Sequence, residues 1–267
     1  MCDTCGCGDP DIVPLDVQGD ILAGNRQRAQ HNREHFRAHR VFAVNLMGSP
    51  GAGKTAILEA TGRRLDGSGR CGALAGDLAT DRDATRLTRA GVPALSITTG
   101  SACHLDAKMV HEALDDLPEW SGLDYLFIEN VGNLVCPAVY DLGQDVNVVA
   151  LSITEGEDKP VKYPVMFLKA DLVLLTKMDL LPHLRHVDVP AVLDGIAQVM
   201  PANKVITFSA ETGEGVDEWL DWLATRRALS ITDAAGVHPH PHMHADPKSQ
   251  SPNPKAQIPI VRRHGHV

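Results

Sequence analysis

The segment Gly48-Ser49-Pro50-Gly51-Ala52-Gly53-Lys54-Thr55 constrains this chain more than any other. Its G-x-x-x-x-G-K-[ST] spacing is that of a loop whose backbone N–H groups converge on phosphate oxygens. The small residues Gly48, Gly51, Ala52 and Gly53 let those groups approach an anion without side-chain clashes. The run Val41 to Met47 before it is apolar and reads as a buried strand; Thr55 to Arg64 after it reads as a helix. A chance glycine-rich turn would not bring the Lys-Thr pair into that context. In it, Lys54 places an ammonium on the β and γ phosphates, and Thr55 offers a hydroxyl to Mg²⁺. The helix that follows points the positive end of its dipole at the same anions.

The strand-then-helix pattern recurs along the chain. Short apolar runs at Ala73–Ala75, Ala94–Ile97, Tyr125–Ile128, Val146–Ile153, Leu172–Leu175 and Val205–Phe208 alternate with helical stretches. Buried runs separated in this way predict an α/β fold of the P-loop NTPase type: an open, mostly parallel sheet of about seven strands, covered by helices on both faces. Aromatics are only 4% of the residues, so Leu, Val, Ile and Ala must fill the core. The last helix is expected over Gly215 to Ala228, with Trp219, Leu220, Trp222 and Leu223 facing inward. Residues 41–232 form the nucleotide domain in this reading. Residues 17–40 form a docking helix with Ile21, Leu22, Ala29 and Phe36 as a thin apolar stripe. Residues 1–16 are a Cys-rich arm, and residues 233–267 a Pro- and His-rich tail with too little apolar content to fold.

A net charge of -9 argues against a nucleic-acid surface. No apolar run approaches the ~20 residues needed to span a bilayer, and the N-terminus lacks the basic and apolar regions of a signal peptide. The expected location is therefore the cytoplasm, without membrane insertion. There, the six cysteines are more readily metal-binding, catalytic or buried than disulfide-bonded.

Two carboxylates end buried strands beside the phosphate loop in this reading. Glu129, in Glu129-Asn130-Val131-Gly132, is placed to meet Mg²⁺, and Gly132 can approach a γ-phosphate closely. Asp77 is a second candidate for Mg²⁺ or for orienting the attacking water; its alternative is to cap the next helix. Thr176-Lys177-Met178-Asp179 resembles the guanine-reading N-K-x-D motif, with Thr in place of Asn. Asp179 can accept two donors from the guanine edge, and the Lys177 stem can lie over the base. Ser209-Ala210 resembles the loop that meets guanine O6. The alternative for Lys177 and Asp179 is a solvated turn.

The remaining signals are for soft metals. Cys2, Cys5 and Cys7 form C-x₂-C-x-C beside an α-amine, a donor set for Ni²⁺ in a square plane or Zn²⁺ in a tetrahedron. Cys103-His104 and Cys136 each follow a predicted parallel strand, so they should emerge on the rim of the sheet that carries the nucleotide. Alone, Cys103 would read as a buried hydrophobe and His104 as a surface histidine; a shared rim favours a Ni²⁺ or Zn²⁺ ligand set. Cys71 reads as core. His238, His240, His242 and His244 suit weak metal storage.

Taken together, these segments resemble the HypB family of nickel-inserting GTPases. The most specific matches are Cys2 to Gly8, Thr99 to Asp106, Glu129 to Pro137 and Thr154 to Pro160. The resemblance covers roughly residues 1 to 230. It implies a GTP/GDP cycle with Mg²⁺, a GTP-dependent homodimer and a metal site at the subunit boundary. It further implies a HypA-type nickel chaperone as partner and the [NiFe]-hydrogenase large-subunit precursor as recipient. By the same carry-over, Cys2, Cys5 and Cys7 match the high-affinity nickel motif, and Cys103, His104 and Cys136 match the second site. Two departures are Thr176 and the C-terminal placement of the histidines. The alternatives are a urease-type accessory GTPase, which would not be expected to carry the Cys2–Cys7 clamp, and a non-enzymatic nickel or zinc buffer.

Overall fold

The structure, a computed structural model, describes residues 15–65, 69–77, 81–100, 102–117, 119–200 and 204–236. Cys2, Cys5, Cys7 and the histidines from His238 onward lie outside the described residues. Seven strands follow one another: β1 (Phe42–Gly48), β2 (Cys71–Asp77), β3 (Ala94–Thr98), β4 (Tyr125–Glu129), β5 (Val146–Ser152), β6 (Leu172–Thr176) and β7 (Val205–Thr207). Around them run α1 (Leu15–His39), α2 (Lys54–Leu65), α3 (Arg82–Arg89), α4 (Ala107–Asp116), α5 (Lys159–Lys162), α6 (Pro164–Leu168), α7 (Val189–Val199) and α8 (Val216–Gly236). Among the described residues no helix is long and apolar enough to cross a membrane.

The strands form one sheet in the order β3-β2-β4-β1-β5-β6-β7. Every pairing is parallel, where the sequence predicted a mostly parallel sheet. β1 lies between β4 and β5, with Leu46 opposite Glu129 and Gly48 opposite Ala150. The chain therefore changes direction of winding at β1, and the crevice of a doubly wound sheet opens at that point. Along β1, Phe42, Val44 and Leu46 join the core beneath α2 and α8. Ala43 and Met47 face the opposite side, covered by α1 and α4 at one place and by α6 and α7 at another. Burial on both faces explains why these strands read as continuous apolar runs rather than alternating ones.

Helix α1 docks through both apolar and polar contacts. Ala29 and Phe36 are buried; burying a side chain the size of Phe36 is worth about 1.5–3 kcal/mol. Asn32 is fully buried, and its amide donates to the carbonyls of Ala107 (2.8 Å) and Leu142 (3.0 Å). Asn25 donates to the Asp141 carbonyl at 2.8 Å and accepts from Ala107 N at 2.9 Å. The helix ends in a left-handed residue, Arg40, and Val41 N returns to Phe36 O at 2.9 Å. That closing bond is the Schellman pattern, which turns the chain directly into β1.

Helix α8 runs past the expected Ala228 to Gly236. No Gly or Pro interrupts it before then, and Ser230 anchors the extension by donating to Asp145 at 2.8 Å. Trp219 and Leu223 are buried, while Leu220 and Trp222 pack half-buried against the same core. The Trp219 indole donates to the Thr61 hydroxyl at 2.9 Å, and that hydroxyl donates to Ile57 O at 2.7 Å. The terminal helix is thereby fastened to the helix that follows the phosphate loop.

Candidate functional site

The phosphate loop closes over a cavity of about 460 Å³ at the carboxyl ends of the strands. Lys54 is buried, and its ammonium donates to the carbonyls of Gly48 (3.3 Å) and Ser49 (3.1 Å). Burial lowers its pKa, an effect that Glu129, Asp83 and Glu155 oppose. The Thr55 hydroxyl lies 2.8 Å from a Glu129 oxygen and 3.0 Å from an Asp83 oxygen. One hydroxyl proton cannot serve both carboxylates. The second Glu129 oxygen is buried and unpartnered, and burial pushes the Glu129 carboxyl up to about 7 despite Lys54 and Thr55. Three hard oxygen-bearing groups sharing one proton, with an oxygen to spare, fit a hard divalent cation such as Mg²⁺.

Asp77 ends β2 and lines the same cavity. It does not cap the next helix: the residue before α3 is Asp81, which makes no side-chain cap. Asp83, in the first turn of α3, is the carboxylate that meets Thr55, and the sequence reading missed it. Its signal was an acidic residue six positions beyond a strand-ending Asp, too loose a spacing to single out. Gly132 lies against the loop; a Cβ there would stand 2.8 Å from Pro50 N. Asn133 forms a bridge with Gly48, so the Gly132 segment and the phosphate loop touch directly.

At the loops expected to read the base, the Thr176 hydroxyl donates to Ala52 O at 2.7 Å, tying β6 to the phosphate loop. Lys177 adopts a left-handed conformation, φ 62°. Asp179 accepts from the Ser209 hydroxyl at 2.6 Å, and Met178 N reaches Phe208 O at 3.2 Å. Thus Thr176, Lys177, Asp179, Ser209 and Ala210 lie on two loops that are hydrogen-bonded to each other.

The inner sulfur and imidazole residues also come together. The sulfurs of Cys103 and Cys136 are 3.0 Å apart, and Cys103 Sγ is 3.7 Å from His104 Nδ1. One donor atom from each of Cys103, His104 and Cys136 falls within 4.8 Å of the others. Zinc–sulfur and zinc–nitrogen bonds place neighbouring ligands about 3.4–3.8 Å apart in a tetrahedron, so little movement separates this group from a ligand set. His104 is buried and stacked on Tyr140, with ring centres 3.8 Å apart. Burial lowers its pKa, leaving a neutral imidazole with a lone pair to give.

Residues 42–207 match the family described as CobW/HypB/UreG, nucleotide-binding domain. The chain is 48% identical over 214 residues to the hydrogenase maturation factor HypB of Escherichia coli K12, covering 80% of this chain and 73% of that one. It is 50% identical over 217 residues to the HypB of Azotobacter vinelandii, covering 81% and 71%. It resembles the crystal structure of HypB from Helicobacter pylori in complex with nickel, with a TM-score of 0.73 and 36% identity, covering 78% of this chain and 97% of that one. This chain belongs to the HypB family.

Within this HypB-family chain, one side chain joins the nucleotide end to the sulfur group. Asn130, next to Glu129, accepts through one oxygen from Leu105 N at 3.1 Å and Val131 N at 3.0 Å. Its amide donates to Asn45 at 3.1 Å, and Asn45 donates to Asn147 at 2.9 Å. Leu105 follows His104 directly, so Asn130 holds the backbone of the Cys103-His104 loop against the end of β4. Nothing local in the sequence marks Asn130 for this role. Tyr140 was missed too, because an aromatic four residues beyond Cys136 carries no local signal for stacking on a histidine from another loop.

Proposed function

We propose that this HypB-family protein is a GTP-hydrolysing nickel metallochaperone that helps insert nickel into the [NiFe]-hydrogenase large subunit. The observation that carries the coupling of nucleotide to metal is the Asn130 bond to Leu105 N, together with the Gly48–Asn133 bridge. The first leads from β4 to His104; the second leads from the phosphate loop toward Cys136, three residues beyond Asn133. Occupancy of the triphosphate pocket draws Gly132 inward and changes the spacing between Cys136 and the Cys103-His104 pair, an order-and-shift switch of the kind GTPases use.

Thr55, Glu129 and Asp83 would hold Mg²⁺, which neutralises charge on the β and γ phosphate oxygens. Lys54 supports the same oxygens, and Asp77 is placed in the cavity to orient water. Asp179 and the Ser209-Ala210 loop select guanine. Intrinsic turnover is slow, roughly 10⁻⁴ to 10⁻² per second, as for P-loop GTPases without a supplied arginine. Val135 and Val139 flank Cys136 and are 50% and 48% exposed, and Val161 of α5 with Val165 and Leu168 of α6 are exposed as well. These apolar side chains support a homodimer formed with GTP bound, its boundary at the inner cluster. Nickel is the cargo of Cys103, His104 and Cys136, Zn²⁺ their alternative occupant, and the Cys2, Cys5 and Cys7 arm a tighter holding point. A HypA-type chaperone is the partner in exchange, and the setting is cytoplasmic.

The test is nickel affinity of the full chain with GDP and with a non-hydrolysable GTP analogue. Affinities at the inner cluster should differ at least several-fold, and Asn130→Ala should shrink the difference. Equal affinities with Cys136 intact would remove the coupling.

A further inference from the structure

A second cluster of imidazoles, outside everything above, lies between α1 and α4. His31 and His35 are four apart, so they share one face of α1. His111 reaches them from α4. Ring centres are 4.4 Å apart for His31–His35, 5.0 Å for His31–His111 and 5.6 Å for His35–His111. We infer that His31, His35 and His111 form a separate site for a borderline divalent transition metal, of the Zn²⁺ and Ni²⁺ class.

The triangle has the right size. With metal–nitrogen bonds of 2.0–2.1 Å in a tetrahedron, three ligating imidazoles place their ring centres about 5 Å apart. The observed separations bracket that value without backbone movement. The His111 ring meets the other two edge to face, and the last torsion of histidine is broad, so a ring turn brings nitrogens toward the common centre. His31 is exposed and free to make that turn, while His35 and His111 are half-buried and set the floor of the site. The Nδ1 of His111 is buried and has no hydrogen-bond partner. A buried imidazole nitrogen without a partner is a cost, and a bound cation on the ring would offset it.

The surroundings favour a metal over three protons. Burial holds the His35 pKa below its ordinary value, and His31, His111 and His39 lower it further; Glu34 offsets part of this. Three imidazoles this close disfavour simultaneous protonation, and neutral imidazole is the ligand form. The open side at His31 leaves room for water or a carried ligand to complete the coordination. The site shares no residue with the Cys103, His104 and Cys136 group, yet α4 begins directly after the helix cap Asp106, and Asn25 and Asn32 fasten α1 to Ala107.

Trp120 supplies the readout. It is one of three tryptophans, its ring centre 6.5 Å from that of His35 and 5.1 Å from that of His39. Trp219 and Trp222 stack on each other on α8. The experiment titrates the full chain with Ni²⁺ while tryptophan emission and the thiolate–nickel absorption are followed together. A quenching phase is expected that disappears in Trp120→Phe and that added Zn²⁺ reverses. In His31→Gln and in His111→Gln, its midpoint should rise at least about tenfold, since each loses one of three ligands, while His39→Gln leaves it in place. The thiolate band and GTP affinity should not change, which separates loss of this site from loss of the inner cluster or of the fold. His31 is exposed, so its variant keeps the packing intact. A quenching phase that is absent from the unmodified chain, or that His31→Gln and His111→Gln leave unmoved, overturns the site.

Discussion

Two cavities of nearly equal volume open at opposite ends of the sheet, about 460 Å³ at the carboxyl end and about 450 Å³ at the amino end. Helix α2 touches both. It starts at the first with Lys54 and Thr55, and finishes at the second with Gly62, Arg63 and Leu65. The first cavity thus receives the positive end of the helix dipole and the second the negative end. Into the first converge Lys54, Asp77, Asp83, Arg86 and Glu129. The second is lined by glycines, apolar side chains and Cys71, whose thiol burial pushes up to about 11; its charged members, Arg63, Arg70 and Glu119, are all exposed, whereas Lys54 and Glu129 of the first are buried. Volume does not distinguish them; charge, oriented backbone and unpartnered polar atoms do.

The sharpest way to break this contrast is to remove the cation at one end and the thiol at the other. Lys54→Ala should lower GTP turnover by at least about 10²–10³-fold, the scale of losing one charge-stabilising donor. Cys71→Ala should leave it within about twofold. Comparable losses in a single-turnover assay would mean that the amino end matters to the chemistry. Next in size is Gly132→Ala. Its Cβ would meet the Pro50 backbone at 2.8–2.9 Å, so loop and switch segment must part. Nucleotide affinity should fall about tenfold or more, with a stability loss of about 1–3 kcal/mol, read by calorimetry and thermal melting. Unchanged affinity would show that the close approach is incidental.

Thr176→Val deletes the donor to Ala52 O and should weaken nucleotide binding by about 1–1.5 kcal/mol, near tenfold. Thr176→Asn can restore that bond and should bind within about threefold of the natural chain. The smallest expected effect concerns pH. The Cys71 thiol has an ordinary value of 9.0 and about 11 in the fold. Between those values the unfolded chain sheds a proton that the native chain retains, so stability falls as pH rises through that window. Below it the contribution is constant. The difference in urea stability between natural chain and Cys71→Ala should therefore change only above about pH 9; a difference that changes between pH 6 and 8 would contradict the assignment.

Much of this was legible in residue order. The phosphate loop, the strand before it and the buried runs after it are local signals, and local signals gave the sheet and its strand positions. Cys103, His104 and Cys136 were placed on one rim because parallel strands share a carboxyl edge. What could not be read is what depends on contacts across the sequence. Asp83 reaches Thr55 through the pitch of α3. Asn130 bonds Leu105 N from a different strand. Asn25 and Asn32 are ordinary polar helix residues until Ala107 and Leu142 arrive beside them. The extension of α8 to Gly236 was legible only in part: no Gly or Pro stops it earlier, but the Ser230 bond to Asp145 that anchors it joins residues far apart in sequence.

The strand order carries a consequence for biosynthesis. β1 and its loop leave the ribosome early, yet both neighbours of β1, β4 and β5, are translated much later. Until Tyr125–Ser152 has emerged, the nascent polypeptide carries a strand with two open edges and one wall of a pocket. A truncated product ending before Val205 would have the phosphate loop without the Ser209-Ala210 loop that Asp179 is hydrogen-bonded to. Partial chains of this protein should therefore be clients for holding chaperones rather than weak enzymes.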